Sequence, residues 1–154
     1  MASFIDRLKS KEIPAKKVSC KANSVIFSEM EPTKGMYLIE SGQVKILKRI
    51  PDTRNDIDLA TFGPNEFFGE MSLIAGRSHS ADALAITDCT LWLLDEKGFK
   101  ELLNKSPEFS LLILKGLSKR LTDTNEKMQN VFSNLKDFSG RLEDLSSMWH
   151  TIAP

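Results

Sequence analysis

The residues best suited to hold something lie between Phe67 and Ser80. The stretch FGEMSLIA over 68–75 fits one helical turn better than a strand. A glycine at position 69 lets the backbone approach a ligand closely. The first amides of a helix, here those of Glu70, Met71 and Ser72, have no intrahelical acceptors and can point at an anion. A carboxylate beside them would repel that anion unless it faced something else, such as a sugar hydroxyl. A few residues on, Arg77, His79 and Ser80 offer further donors. The chemistry is therefore recognition of a small anion carrying a ribose-like diol. Each residue also has a plainer reading. Glu70 is favoured at a helix start by the macrodipole alone, and His79 is equally at home as an ordinary surface histidine. No acid/base pair, nucleophile with its base, or metal cluster is visible, so no enzyme activity is expected.

Three zones must position these groups. Residues 1–17 place Phe4, Ile5, Leu8 and Ile13 at roughly helical spacing before Pro14, and their basic run reads as the solvated face of a short helix. Residues 18–106 are expected to form the binding domain. Short apolar runs at Val25–Phe27, Tyr37–Ile39, Val44–Leu47, Ile57–Phe62, Ala83–Ile86 and Thr90–Leu94 alternate with breakers such as Pro32, Gly35, Ser41-Gly42, Pro51-Asp52 and Gly63-Pro64-Asn65. That spacing suggests an antiparallel roll or barrel, with the one-turn helix interrupting it. A helix over Glu96–Asn104 follows. Residues 107–154 then form a long C-terminal helix that starts with Pro107 in its first turn. Along it Leu114, Leu117, Leu121, Met128, Val131, Leu135, Phe138, Leu142, Leu145, Trp149 and Ile152 recur in steps of three and four, with Thr124 filling one slot. Asp137 either caps a second helix or sits within one that runs straight through.

Bulk properties narrow the function classes. With 154 residues, 41% of them hydrophobic and 27% charged, the chain has one domain's worth of length and is neither disordered nor a membrane protein. Apolar runs such as Leu111–Leu114 fall far below the ~20 residues a spanning helix needs. The 21 Lys+Arg balance 21 Asp+Glu, which gives no electrostatic reason for non-specific nucleic-acid binding. Cys20 and Cys89 make neither a metal spacing nor a disulfide framework. They read as small buried hydrophobes in a reducing, cytoplasmic setting, and no secretory leader is expected.

Phe67-Phe68-Gly69-Glu70-Met71-Ser72-Leu73-Ile74, followed by Gly76-Arg77-Ser78-His79-Ser80-Ala81, resembles the phosphate-binding cassette of cyclic-nucleotide-binding domains. Ile26-Phe27, the run Tyr37–Val44 and Leu59-Ala60-Thr61-Phe62-Gly63-Pro64 resemble the family's strands and turns, so the likeness spans about residues 18–136. Within the family, Lys119–Lys127 resembles the dimer helix of catabolite-activator-type regulators. The resemblance implies an α+β fold: a jelly-roll-like antiparallel β-roll of eight strands, related to the cupin double-stranded β-helix, between a short N-terminal helix and a long dimerisation helix. It also implies roles. Glu70 would accept the ribose 2′-hydroxyl, while Gly69 and the amides of Met71 and Ser72 would cradle the cyclic phosphate. Ser80 would contact phosphate or purine, and Thr124 and Asn125 would reach the base, the latter from a second subunit. The usual arginine is replaced by His79, which offers one directed contact and, near a pKa of ~6.5, only partial charge. Arg77 is a candidate substitute. Ser78 replaces the usual proline, and Met30-Glu31 stand where a glycine–acid turn is common.

The expected function is a cytoplasmic bacterial regulator that senses cAMP or cGMP and signals through rearrangement of the helix and of a homodimer. It needs no other cofactor, binds no membrane and acts on an unknown downstream protein. The alternative is a dimeric scaffold or protein-interaction module whose pocket has lost its ligand. Only twelve residues follow Leu142, too few for a helix-turn-helix, so this chain is not expected to bind DNA by itself.

Overall fold

Short apolar runs closed by tight turns become strands. In the computed structural model, which describes residues 4–9, 13–51 and 55–152, the order is α1 (Phe4–Lys9), β1 (Lys16–Cys20), β2 (Val25–Phe27), β3 (Met36–Ser41), β4 (Val44–Lys48), β5 (Ile57–Phe62), β6 (Phe67–Phe68), α2 (Glu70–Ala75), β7 (Asp82–Ala85), β8 (Cys89–Leu94), α3 (Glu96–Lys105) and α4 (Pro107–Ile152). The eight strands form two four-stranded sheets in the orders β1-β8-β3-β6 and β2-β7-β4-β5, with every pairing antiparallel. This is the antiparallel roll that the turn spacing predicts. Its core is the facing sides of the two sheets, where Ile39, Val44, Ala83, Ala85 and Leu91 are fully enclosed beside Phe27, Tyr37 and Phe68. Each large apolar side chain buried there contributes on the order of 1.5–3 kcal/mol.

Two strands escape the sequence pattern. In β1 the inward residues Val18 and Cys20 alternate with exposed Lys17 and Ser19, a weak signal inside a basic run. The two residues of β6 are too short to show any periodicity, yet both are buried and they deliver the chain into α2. Left-handed residues turn the chain between strands, at Asn23, Met30 and Asn65 among the non-glycines. Residues 10–12, and Asp52 of the predicted Pro51-Asp52 turn, lie outside the described residues.

Caps set the starts of the later helices. Asp95 accepts a hydrogen bond from the Gly98 amide at 2.8 Å and opens α3; Ser106 Oγ accepts from the Phe109 amide at 3.2 Å and opens α4, with Pro107 in its first turn. The chain divides into two compact units at Leu112/Ile113. Among the described residues the second unit consists of α4 from Ile113 onward. It runs unbroken through Asp137 and Gly140, so the continuous alternative holds. Its apolar residues Leu121, Met128, Val131, Leu135, Phe138, Leu142, Leu145 and Trp149 are all more than half exposed in the single chain. Among the described residues, no helix is long and apolar enough to cross a membrane.

Candidate functional site

The cassette is built by a pair of glycines. Gly69, at φ 81° and ψ −6°, takes the left-handed conformation that turns β6 into α2, and a Cβ on it would lie 3.2 Å from the Gly35 carbonyl oxygen. Gly35 in turn packs so tightly that a Cβ there would meet the Leu94 carbonyl oxygen at 2.2 Å. No residue with a side chain fits either place without a shift, so the start of α2 is held flat against the strand layer. The Leu73 amide makes the bond to Gly69 O, at 3.4 Å, and the amides of Glu70, Met71 and Ser72 precede it. Left-handed Gly76 closes the turn, its amide donating to Leu73 O and the next amide, of Arg77, to Ser72 O at 3.0 Å.

Beneath this turn lies an aromatic floor. Tyr37 and Phe68 stack with centroids 5.1 Å apart, and Phe27 lies 6.0 and 5.9 Å from them. Glu70 is fully enclosed at the head of α2, whereas Met71 is exposed. A carboxylate at a helix start gains from the macrodipole, and this one is also completely enclosed.

The return segment from Gly76 to Ala81 carries three more of the expected residues, Arg77, His79 and Ser80. Arg77 is exposed and makes no ion pair among the described residues. Ser80 is exposed, and its carbonyl accepts from Lys48 Nζ at 3.3 Å. His79 takes a different position from a surface histidine. It is 3% exposed and its ring stacks flat on Phe27, with centroids 3.5 Å apart and planes within 6°. Its backbone is paired on both sides with the 28–31 turn: Met30 N–H donates to His79 O at 2.8 Å, and His79 N–H to Glu31 O at 3.0 Å. Burial pulls the imidazole pKa below 6.5; Glu31 opposes that shift and Lys34 adds to it. At neutral pH the ring is uncharged, so it can give an anion a hydrogen bond but little charge.

Sequence reasoning missed the ionic lattice that fixes this return segment. Buried Asp82 accepts from the Glu29 amide at 2.6 Å and from Arg49 Nε at 2.6 Å, while Lys48 bridges Glu29 and Ser80. Glu31 accepts from the Ser28 amide at 3.0 Å and pairs with Lys34 at 3.1 Å, bonds that hold its carboxyl below the usual range. A buried acid at the start of β7 was the available signal. Thr124 and Asn125 lie in the second unit, exposed along α4. Among the described residues, no group of three or more His, Cys, Asp or Glu could hold a metal ion.

Three comparisons bear on this geometry. Residues 17–106 match the family described as the cyclic nucleotide-binding domain. The CRP-like cAMP-activated global transcriptional regulator of Mycobacterium tuberculosis is 32% identical over 117 residues, covering 76% of this chain and 51% of its own length. Among solved structures, the catabolite activator protein of Thermus thermophilus superposes with a TM-score of 0.67 at 26% identity, covering 76% of this chain and 55% of the other. The c-di-GMP-responsive global regulator of Xanthomonas campestris reaches 0.72 at 27% identity, covering 84% and 63%. The chain thus spans about half the length of the curated relative it matches.

Proposed function

The chain belongs to the cyclic nucleotide-binding domain family, and on that premise we propose that it is a sensor whose ligand is a cyclic mononucleotide, cAMP in the first place and cGMP in the second. The single observation that carries this reading is the completely buried Glu70 beside the α2 amides. An enclosed carboxylate next to helix-start donors suits a ligand with a diol at one end and a phosphodiester at the other. Glu70 accepts from the ribose hydroxyl, and Gly69 with the amides of Met71 and Ser72 holds the phosphate. Ser80 and Arg77 add donors at its edge. His79 supplies one neutral hydrogen bond where an arginine would supply charge. Thr124 and Asn125 are assigned to the base, and the signal runs through α4 and the pairing of two copies. The reading includes no catalysis and no resident cofactor, and it places the protein in the cytoplasm.

Calorimetric titration with cAMP, cGMP and c-di-GMP at pH 6 and 7.5 tests this. Saturable heat with a mononucleotide, lost in Glu70→Ala, supports it. Heat with c-di-GMP alone assigns a different ligand. A second reading, a scaffold whose pocket no longer binds, is favoured by the buried, uncharged His79. Silence at millimolar concentrations of all three nucleotides would establish it.

A further inference from the structure

The two cysteines are far apart in the chain, and the fold sets them against each other. In the antiparallel pairing of β1 with β8, Cys20 stands directly opposite Cys89, the last residue of one strand against the first of the other. Opposed residues of such a pair project from the same face with Cα atoms about 4.5–5.5 Å apart. That lies inside the span of roughly 4.4–6.8 Å that a disulfide bridges. Both thiols are free. Cys89 is 4% exposed within the core cluster, and half-buried Cys20 packs against the same cluster. Burial and then the neighbouring Cys89 push the Cys20 thiol above its ordinary pKa.

Access is provided as well. A cavity of about 290 Å³ opens onto the pair, lined by both cysteines and by Ser19 and Thr90, the next opposed pair on the ladder. At its edge Lys21 and Asp88 form an ion pair at 2.8 Å. None of the cassette residues lines it.

We propose that Cys20 and Cys89 form a redox-modification site, a cross-strand disulfide that closes by exchange with a low-molecular-weight disulfide such as oxidised glutathione. The more exposed Cys20, as thiolate, attacks one sulfur of the glutathione disulfide and expels one glutathione thiolate, leaving a mixed disulfide. Cys89 then attacks the Cys20 sulfur and expels the second. Two protein thiols lose two electrons and their two protons, and the glutathione disulfide gains both. Cys89 Sγ donates to the Gln43 carbonyl at 3.3 Å and to the Thr87 carbonyl at 3.2 Å. Because only thiolate reacts, exchange is slow at neutral pH and quickens as pH rises.

The test treats the full chain with oxidised glutathione at pH 7 and pH 8.5, followed by N-ethylmaleimide under denaturing conditions and intact-mass analysis. The expected product has lost two hydrogens, carries no maleimide and yields one linked peptide containing Cys20 and Cys89. Dithiothreitol restores two maleimide adducts. Closure at pH 8.5 is expected to be at least tenfold faster than at pH 7. In unfolding urea, where strand pairing is gone, glutathione adducts are expected to replace the bridge. Two reactive thiols persisting in the folded chain, a stable glutathione adduct on Cys20, or a bridge between chains would each overturn the proposal. So would equal bridging in urea.

Discussion

Glu70 and His79 carry opposite signs of the same physics: one holds a buried acid beside amides, the other a buried base kept neutral. Glu70→Gln preserves shape and removes charge. If the acid grips a sugar hydroxyl, mononucleotide affinity falls by about 10- to 100-fold, the worth of a charge-assisted bond of roughly 1.5–3 kcal/mol. Unchanged affinity in calorimetry would remove Glu70 from the site. At His79 the folded pKa lies below 6.5. As pH falls through about 6.5 the unfolded chain takes up a proton that the native ring refuses, and stability drops by up to about 1.4 kcal/mol per pH unit until the native value is reached. The lowered carboxyl of Glu31 acts in a lower window, below its ordinary 4.5. His79→Phe keeps the stack on Phe27 and removes the proton site, so its urea midpoint between pH 7.5 and 5.5 is expected to decline less than that of the parent. Equal declines would show that another group carries the dependence. At Met30 the backbone sits at φ 67°, the left-handed region in which a side chain costs about 1–2 kcal/mol. Met30→Gly, which restores the common residue of that turn, is expected to stabilise by about 0.5–1 kcal/mol in urea melts after glycine's own entropic cost.

At the level of elements, α2 depends on backbone fit. Gly69→Ala places a methyl 3.2 Å from Gly35 O at φ 81°. The expected loss is about 1–2 kcal/mol from the backbone alone, together with weakened nucleotide binding as the first amides tilt; binding retained at full strength would show that those amides hold nothing. Much of this element was legible beforehand. The roll followed from apolar runs punctuated by turns, and α2 from a helix-like stretch that broke the strand pattern. Strand β6 was too short to carry a period, and β1 was masked by lysines. The stacking of His79 on Phe27, and the pairing of Arg49 with Asp82, join residues far apart in the chain, which no local period encodes. Asp137 left a helix break and a continuous helix equally open, because a capping residue also sits comfortably on a solvated face. The structure keeps α4 helical there, and Gly140 has open space around its would-be Cβ. Gly140→Ala is therefore expected to stabilise by roughly 0.5–1 kcal/mol, read as a higher thermal midpoint by circular dichroism. A left-handed cap at that position would give destabilisation instead.

At the scale of the whole molecule, α4 decides how two copies could meet. Leu114, Leu121, Met128, Leu135, Leu142 and Trp149 fall on one heptad position, and Leu117, Thr124, Val131, Phe138 and Leu145 on its partner. The flanking position that follows Lys119 holds Arg120, Lys127 and Arg141. An antiparallel pair would set these cations against one another, whereas a parallel pair sets them against Asn125, Phe132 and Ser146. We therefore expect a parallel homodimer. Sedimentation should show two copies, and Leu135→Asp should weaken the dimer more than a hundredfold, about 3 kcal/mol, by forcing a charge into the seam. Labels introduced at Ser147 of each copy should transfer energy efficiently. Antiparallel copies of this 46-residue helix would hold them tens of ångströms apart, given about 1.5 Å of rise per residue. The proposed signal adds a stricter requirement. A nucleotide can shift pairing only if dimer and monomer bind it with different affinity, and the coupling must be reciprocal. With one site per copy, a tenfold preference for the dimer at each site tightens the dimer about a hundredfold at saturating cAMP, because the two preferences multiply. Sedimentation with and without cAMP, set beside calorimetry on the parent and on Leu135→Asp, measures both sides of that cycle. Binding that leaves the dimer constant untouched would show that the nucleotide does not act through the strength of this pairing.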